Sequence, residues 1–100
     1  ATELRSGSVV DSGGVEIFIA GAERRMAPGA ALRVHSWRNG YREGSSYPRQ
    51  SPKHQMTRRY MAEMLGNDAF YWFTLQAAPS DGIHKMTADE IRRYGLLTRP

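Results

Sequence analysis

The chain has 100 residues, 40% of them hydrophobic, with no cysteine and a formal net charge of +4. That length predicts one small domain or part of a larger one. The missing cysteines exclude disulfides, thiolate zinc sites and a cysteine nucleophile. No apolar run approaches the ~20 residues of a membrane-spanning helix.

Residues 1–7 read as a loose polar tail, and residues 1–5 lack a signal-peptide pattern. Residues 8–10 read as a short strand leading into Asp11 and Ser12. From Gly13 to Ala20 the run is nearly continuously apolar. Its β-branched content suggests a strand, but a serine able to cap, two glycines and a closing Gly21 suit a buried helix of about two turns, and a helix is predicted, with Glu16 at a groove or interface. Strands follow over 24–27 and 31–35 around a Pro28-Gly29 turn. Residues 36–52, rich in Gly, Ser and Pro, read as a long loop that shapes access to a site.

Ser51-Pro52 opens the next helix, with Ser51 as the cap and Gly66 as the stop. Met56, Tyr60, Met61 and Met64 form its expected apolar stripe. Asn67 or Asp68 caps a further helix, with Phe70, Phe73 and residues 75–77 facing inward. Pro79-Ser80-Asp81-Gly82 is a turn. Thr87 and Glu90 make a capping box, the helix ends at Gly95, and residues 96–98 read as a closing strand. Strands interleaved with helices place the chain in the α/β class.

The candidate chemistry is a serine with a histidine 23 residues later, Ser12 and His35. Serine needs a base to become a nucleophile, and imidazole is the usual one. Gly13, directly after the serine, leaves its N–H open to a developing oxyanion. His54 and His84 compete for the role of base. His54 reads as a solvated residue of a basic helix, and His84 lies three residues after Asp81. Residues 33–59 carry +6, leaving −2 on the rest of the chain. This basic segment reads as a solvated loop and helix face, with an anion-attracting surface as the alternative. Trp37, Tyr41 and Tyr47 lie among its arginines, yet no nucleic-acid module is recognisable and nucleic acid is not an expected partner. The three scattered histidines lack metal-ligand spacing, so neither metal nor cofactor is expected.

The segment Ser12-Gly13-Gly14-Val15-Glu16-Ile17-Phe18-Ile19-Ala20-Gly21, followed by Ala27-Pro28-Gly29-Ala30 and Leu32-Arg33-Val34-His35, resembles the Clp protease proteolytic subunit. Residues 78–81 and 86–97 are similar to that family's closing segment. The superfamily also holds the crotonases. The resemblance covers residues 8–98 and implies an α/β spiral of strand–strand–helix units, of which residues 1–100 are the C-terminal half. It implies a serine peptidase or hydrolase acting on a peptide or a small ester or amide. Ser12 is then the nucleophile, His35 the base and Asp81 the triad acid. Gly13 is an oxyanion donor, and Trp37 and Arg38 contact substrate. A Clp-like domain is about twice this length, so a complementary N-terminal chain or a homo-oligomer is the expected partner. The compartment is left open between bacterial periplasm and cytoplasm. The alternatives are a non-catalytic oligomerising or binding module on the same scaffold, and a crotonase-like acyl-coenzyme A binder.

Overall fold

The computed structural model describes residues 1–98. In chain order they form β1 (Thr2–Leu4), β2 (Val9–Asp11), α1 (Ser12–Ile19), β3 (Arg24–Met26), β4 (Ala31–Val34), β5 (Arg38–Asn39) and β6 (Arg42–Glu43). A single 3-10 turn (Gly44–Ser46) precedes α2 (Pro52–Leu65), α3 (Ala69–Ala77), β7 (His84–Lys85) and α4 (Ala88–Arg93). This is an α/β chain. Among the described residues no helix is long and apolar enough to cross a membrane. The chain divides into two units, the first made of residues 1–33 with the segment from Lys85 onward, the second of Val34–His84.

The first unit is built on two parallel strand pairs. β1 runs beside β3, with Thr2 opposite Arg24 and Leu4 opposite Met26. β2 runs beside β4, with Val9 opposite Ala31 and Asp11 opposite Arg33. Parallel neighbours need a crossover, and α1 supplies it. The expectation of a loose tail over residues 1–7 is therefore corrected. Thr2 is held because its hydroxyl donates to the Phe18 carbonyl at 2.7 Å and its N–H donates to Glu23 O at 2.8 Å. Gly21 is small for the same reason, since a Cβ there would lie 2.4 Å from the Thr2 hydroxyl.

In α1 the buried side chains are Val15, Phe18 and Ile19, while Ile17 is exposed. That is helical spacing, i, i+3, i+4, and it outweighs the β-branched composition. Leu32, Met86 and Leu96 complete the buried apolar set of this unit. Each such side chain contributes roughly 1.5–3 kcal/mol by leaving water.

Arg24 is buried at 8% exposure. Its guanidinium donates to Leu96 O (2.7 Å), Gly21 O (2.8 Å), Gly95 O (3.3 Å) and Ile19 O (3.4 Å). These carbonyls close the C-terminal ends of α1 and α4, where backbone acceptors lack helical partners and a cation is favoured. They also explain why residues 96–98 are not the expected strand. The Gly95 and Leu96 carbonyls are taken by a side chain, and only Thr98 pairs with the Arg24 backbone. The capping box is present in both directions, from Glu90 N–H to the Thr87 hydroxyl and from Thr87 N–H to the Glu90 carboxylate.

In the second unit, the 36–52 loop contains more structure than expected. β5 and β6 form an antiparallel hairpin turning at Gly40, whose φ is +62°. Gly44 lies flat on the Trp37 indole, where a Cβ would be 2.5 Å from the ring. α2 begins as expected, with the Ser51 hydroxyl accepting from Lys53 N–H, and Gly66 stops it at φ +89°. Its buried face is not the expected stripe: Met56 is 85% exposed, and the helix buries His54 and Met61 instead. α3 buries Phe70, Tyr71, Thr74 and Leu75.

Candidate functional site

Ser12 is the first residue of α1 and leaves directly from β2. Asp11 occupies the cap position yet gives the helix no side-chain cap. Its carboxylate is instead held by its strand neighbour Arg33, with Nε at 2.6 Å and a terminal nitrogen at 2.9 Å. The pairing raises the Arg33 guanidinium further above its ordinary value, chiefly through this hydrogen bond. So the N–H groups of the first turn receive no acceptor from Asp11, and the Ser12 hydroxyl has no hydrogen-bond partner among the described residues. Helix N-termini left in this state favour negative charge.

Gly13 and Gly14 differ sharply. At Gly14 a Cβ would stand 2.5 Å from the Val10 side chain, so packing demands glycine there. At Gly13 a Cβ would meet nothing within 4 Å. Nothing in the packing of this unit requires Gly13, which is exposed.

In the second unit, His35 follows β4 and is half-buried. Its Nδ1 lies 2.7 Å from the Ser36 carbonyl. A carbonyl only accepts, so Nδ1 carries the proton in the neutral ring and Nε2 keeps its lone pair. Ser36 is fully buried and fixed in turn, its N–H donating to Ala78 O at 2.9 Å.

Asp81 sits in the turn Pro79-Ser80-Asp81-Gly82, closed by Gly82 N–H on Pro79 O. The turn is tied down by Glu43, whose carboxylate accepts from the Ser80 N–H at 2.8 Å and from the Ser80 hydroxyl. These bonds, with Arg38 at 3.2 Å, hold the Glu43 carboxyl below its ordinary value. Asp81 itself is exposed, and its carboxylate has no hydrogen bond or ion pair among the described residues. Of the two residues expected to contact substrate, Arg38 is ion-paired with Glu43. Trp37 is built into the unit: its indole N–H donates to the Tyr71 hydroxyl at 2.9 Å and its ring stacks on Tyr47.

Sequence reasoning missed His54. It is fully buried rather than solvated. Its Nε2 lies 3.2 Å from the Tyr47 carbonyl and its Nδ1 2.7 Å from the Tyr71 hydroxyl. The partners fix every proton: Trp37 N–H donates to Tyr71, Tyr71 O–H donates to His54 Nδ1, and Nε2–H donates to the carbonyl. Burial pushes the Tyr71 phenol above its ordinary value, against the opposing hydrogen bond from Trp37. A seven-residue separation of His54 from Met61 along α2 was the available signal. His54 is thereby held in the packing of the second unit, with both ring nitrogens engaged. His84 contacts Phe73 edge-on at 5.7 Å. Among the described residues no group of three His, Asp or Glu is placed to hold a metal ion.

No protein-family model matches the chain, and no curated protein matches it.

Proposed function

We propose that this chain is a serine hydrolase of the Clp-like type, acting on a peptide or a small ester or amide. The observation that carries the proposal is the start of α1, where a partner-free serine hydroxyl opens a helix with no side-chain cap at the end of a parallel strand. In open α/β sheets, ligands bind beyond the carboxyl ends of parallel strands. The parallel pairings of β1 with β3 and of β2 with β4 support an α/β arrangement; the spiral of strand–strand–helix units is what the family resemblance implies.

In the mechanism that the family resemblance implies, Ser12 Oγ attacks the substrate carbonyl carbon and its proton passes to His35 as the base. The C–O bond formed makes a tetrahedral oxyanion, which accepts from the Gly13 N–H. Collapse expels the amine or alcohol, which takes the proton from His35 Nε2–H. Water, activated by the same nitrogen, then releases the acyl group from Ser12. The Ser36 carbonyl holds the Nδ1–H tautomer throughout. Asp81 is the acid that the family resemblance assigns. The second oxyanion donor comes from a partner chain or a second copy.

A fluorophosphonate probe read by intact mass tests this. The expected result is a single adduct on the native protein that is lost in Ser12→Ala and in His35→Ala. Replacing a triad aspartate by asparagine can cost about 10⁴-fold where it alone holds the tautomer. Asp81→Asn is expected to cost well under that here, because Ser36 holds it instead. A folded protein that takes no label overturns the hydrolase reading and leaves a binding module.

A further inference from the structure

The first unit carries an open cleft of about 700 Å³, lined by Met26, Ala27, Met86, Ile91 and Leu97 among others, with Lys85 and Arg92 at its edge. Small-molecule sites span about 300–1,000 Å³. We infer that this cleft binds a long-chain fatty acid, its alkyl chain along the apolar wall and its carboxylate on Lys85. The inference is independent of any chemistry at Ser12.

Three observations select this occupant. The first is charge. The lining includes two cations and no carboxylate. Arg92 has an exposed partner in Asp89 at 3.2 Å, whereas the Lys85 ammonium has no hydrogen bond or ion pair among the described residues. An anion therefore meets an unpaired cation at the mouth of an apolar cleft.

The second is the state of the backbone. The N–H groups of Ala27, Ala30, Met86 and Gly95, all in the lining, donate to Leu4 O, Ala27 O, Leu32 O and Arg92 O. An extended peptide brings its own row of N–H and C=O groups and needs free partners from an edge. The part of the wall formed by these four residues, whose donors are already engaged, suits an alkyl chain instead.

The third is adaptability. Two methionines face the cleft, and their unbranched side chains fit a flexible apolar ligand. Met86 is nearly buried at 4%, while Met26, Ile91 and Leu97 are half-buried and present apolar surface.

The test is fluorescence titration of the whole protein with a dansyl-labelled undecanoic acid, displaced by palmitate. Saturable binding, displacement by palmitate, and at least tenfold weaker displacement by cetyl alcohol are expected, the alcohol lacking the carboxylate. Lys85 is exposed, so Lys85→Glu keeps the fold and is expected to weaken binding at least tenfold. Ala88→Phe, at an exposed lining position, is expected to abolish binding by filling the cleft, with circular dichroism confirming the fold. Absence of saturable binding overturns the inference. So does unchanged affinity in Lys85→Glu, or displacement by an uncharged apolar peptide as effective as by palmitate.

Discussion

Two adjacent glycines separate packing from chemistry at the level of single residues. Val10 is β-branched and stiff at χ1, so it cannot swing away from a methyl group placed at Gly14. Gly14→Ala is therefore expected to destabilise the protein by about 1–3 kcal/mol in denaturant unfolding, the usual cost of overpacking. Gly13→Ala has open space and is expected to stay within about 0.5 kcal/mol of the native protein. Because alanine keeps the backbone N–H, slower fluorophosphonate labelling of Gly13→Ala would show that the added Cβ crowds the approach to Ser12, and unchanged labelling is expected if that approach stays open. Tyr71 is the other decisive residue. Tyr71→Phe leaves the Trp37 N–H and the His54 Nδ1 without their partner, and an orphaned buried polar group costs about 1–3 kcal/mol. A denaturation midpoint equal to that of the native protein would show that water or a shifted ring replaces the hydroxyl.

Among elements, helix ends were more legible in the sequence than helix faces. Ser51-Pro52, Gly66 and the Thr87–Glu90 box act through bonds between near neighbours, so local residues alone determine them. Thr87→Ala is expected to cost about 1 kcal/mol, read as a lower thermal midpoint. The inward face of α2 depends on what lies opposite. There the opposite partners are Tyr47 and Tyr71, which make a histidine the buried residue and leave Met56 in solvent. β1 was hidden for a related reason. Three residues with polar neighbours carry no periodic signal, and only pairing with β3, more than twenty residues away, turns them into a strand. The site was legible in part. Ser12 at a helix start follows from the glycines and the apolar run. The Ser36 carbonyl as the partner of His35 is a backbone group, and no residue pattern announces it.

Over the whole molecule, acid stability turns on the carboxylates held below their ordinary values. Glu43 owes its lowered value first to the Ser80 hydroxyl, then to the Ser80 N–H and Arg38. Asp68 owes its own chiefly to the Trp72 indole N–H, with Arg58 adding to it. A carboxylate with a depressed folded pKa stabilises the fold fully above its unfolded-chain value, and that contribution is lost as pH falls through the folded value. The protein is thus expected to lose resistance to urea as pH falls below the ordinary carboxylate range. Ser80→Ala is expected to flatten that loss by removing the leading cause at Glu43. A variant whose urea midpoint falls as steeply as that of the native protein would assign the acid sensitivity elsewhere.

The Arg24 guanidinium reaches acceptors up to 72 positions further along the chain, while the whole of the second unit is contained in the stretch between. During synthesis the second unit can therefore close as soon as its own residues have emerged. The first unit must wait, with a buried-to-be cation still in water, until Gly95 and Leu96 leave the ribosome. Its assembly is a long-range ring closure whose entropic cost precedes its reward. The expected order of folding along the chain is middle first and ends last, read in pulsed hydrogen exchange as earlier protection of the second unit.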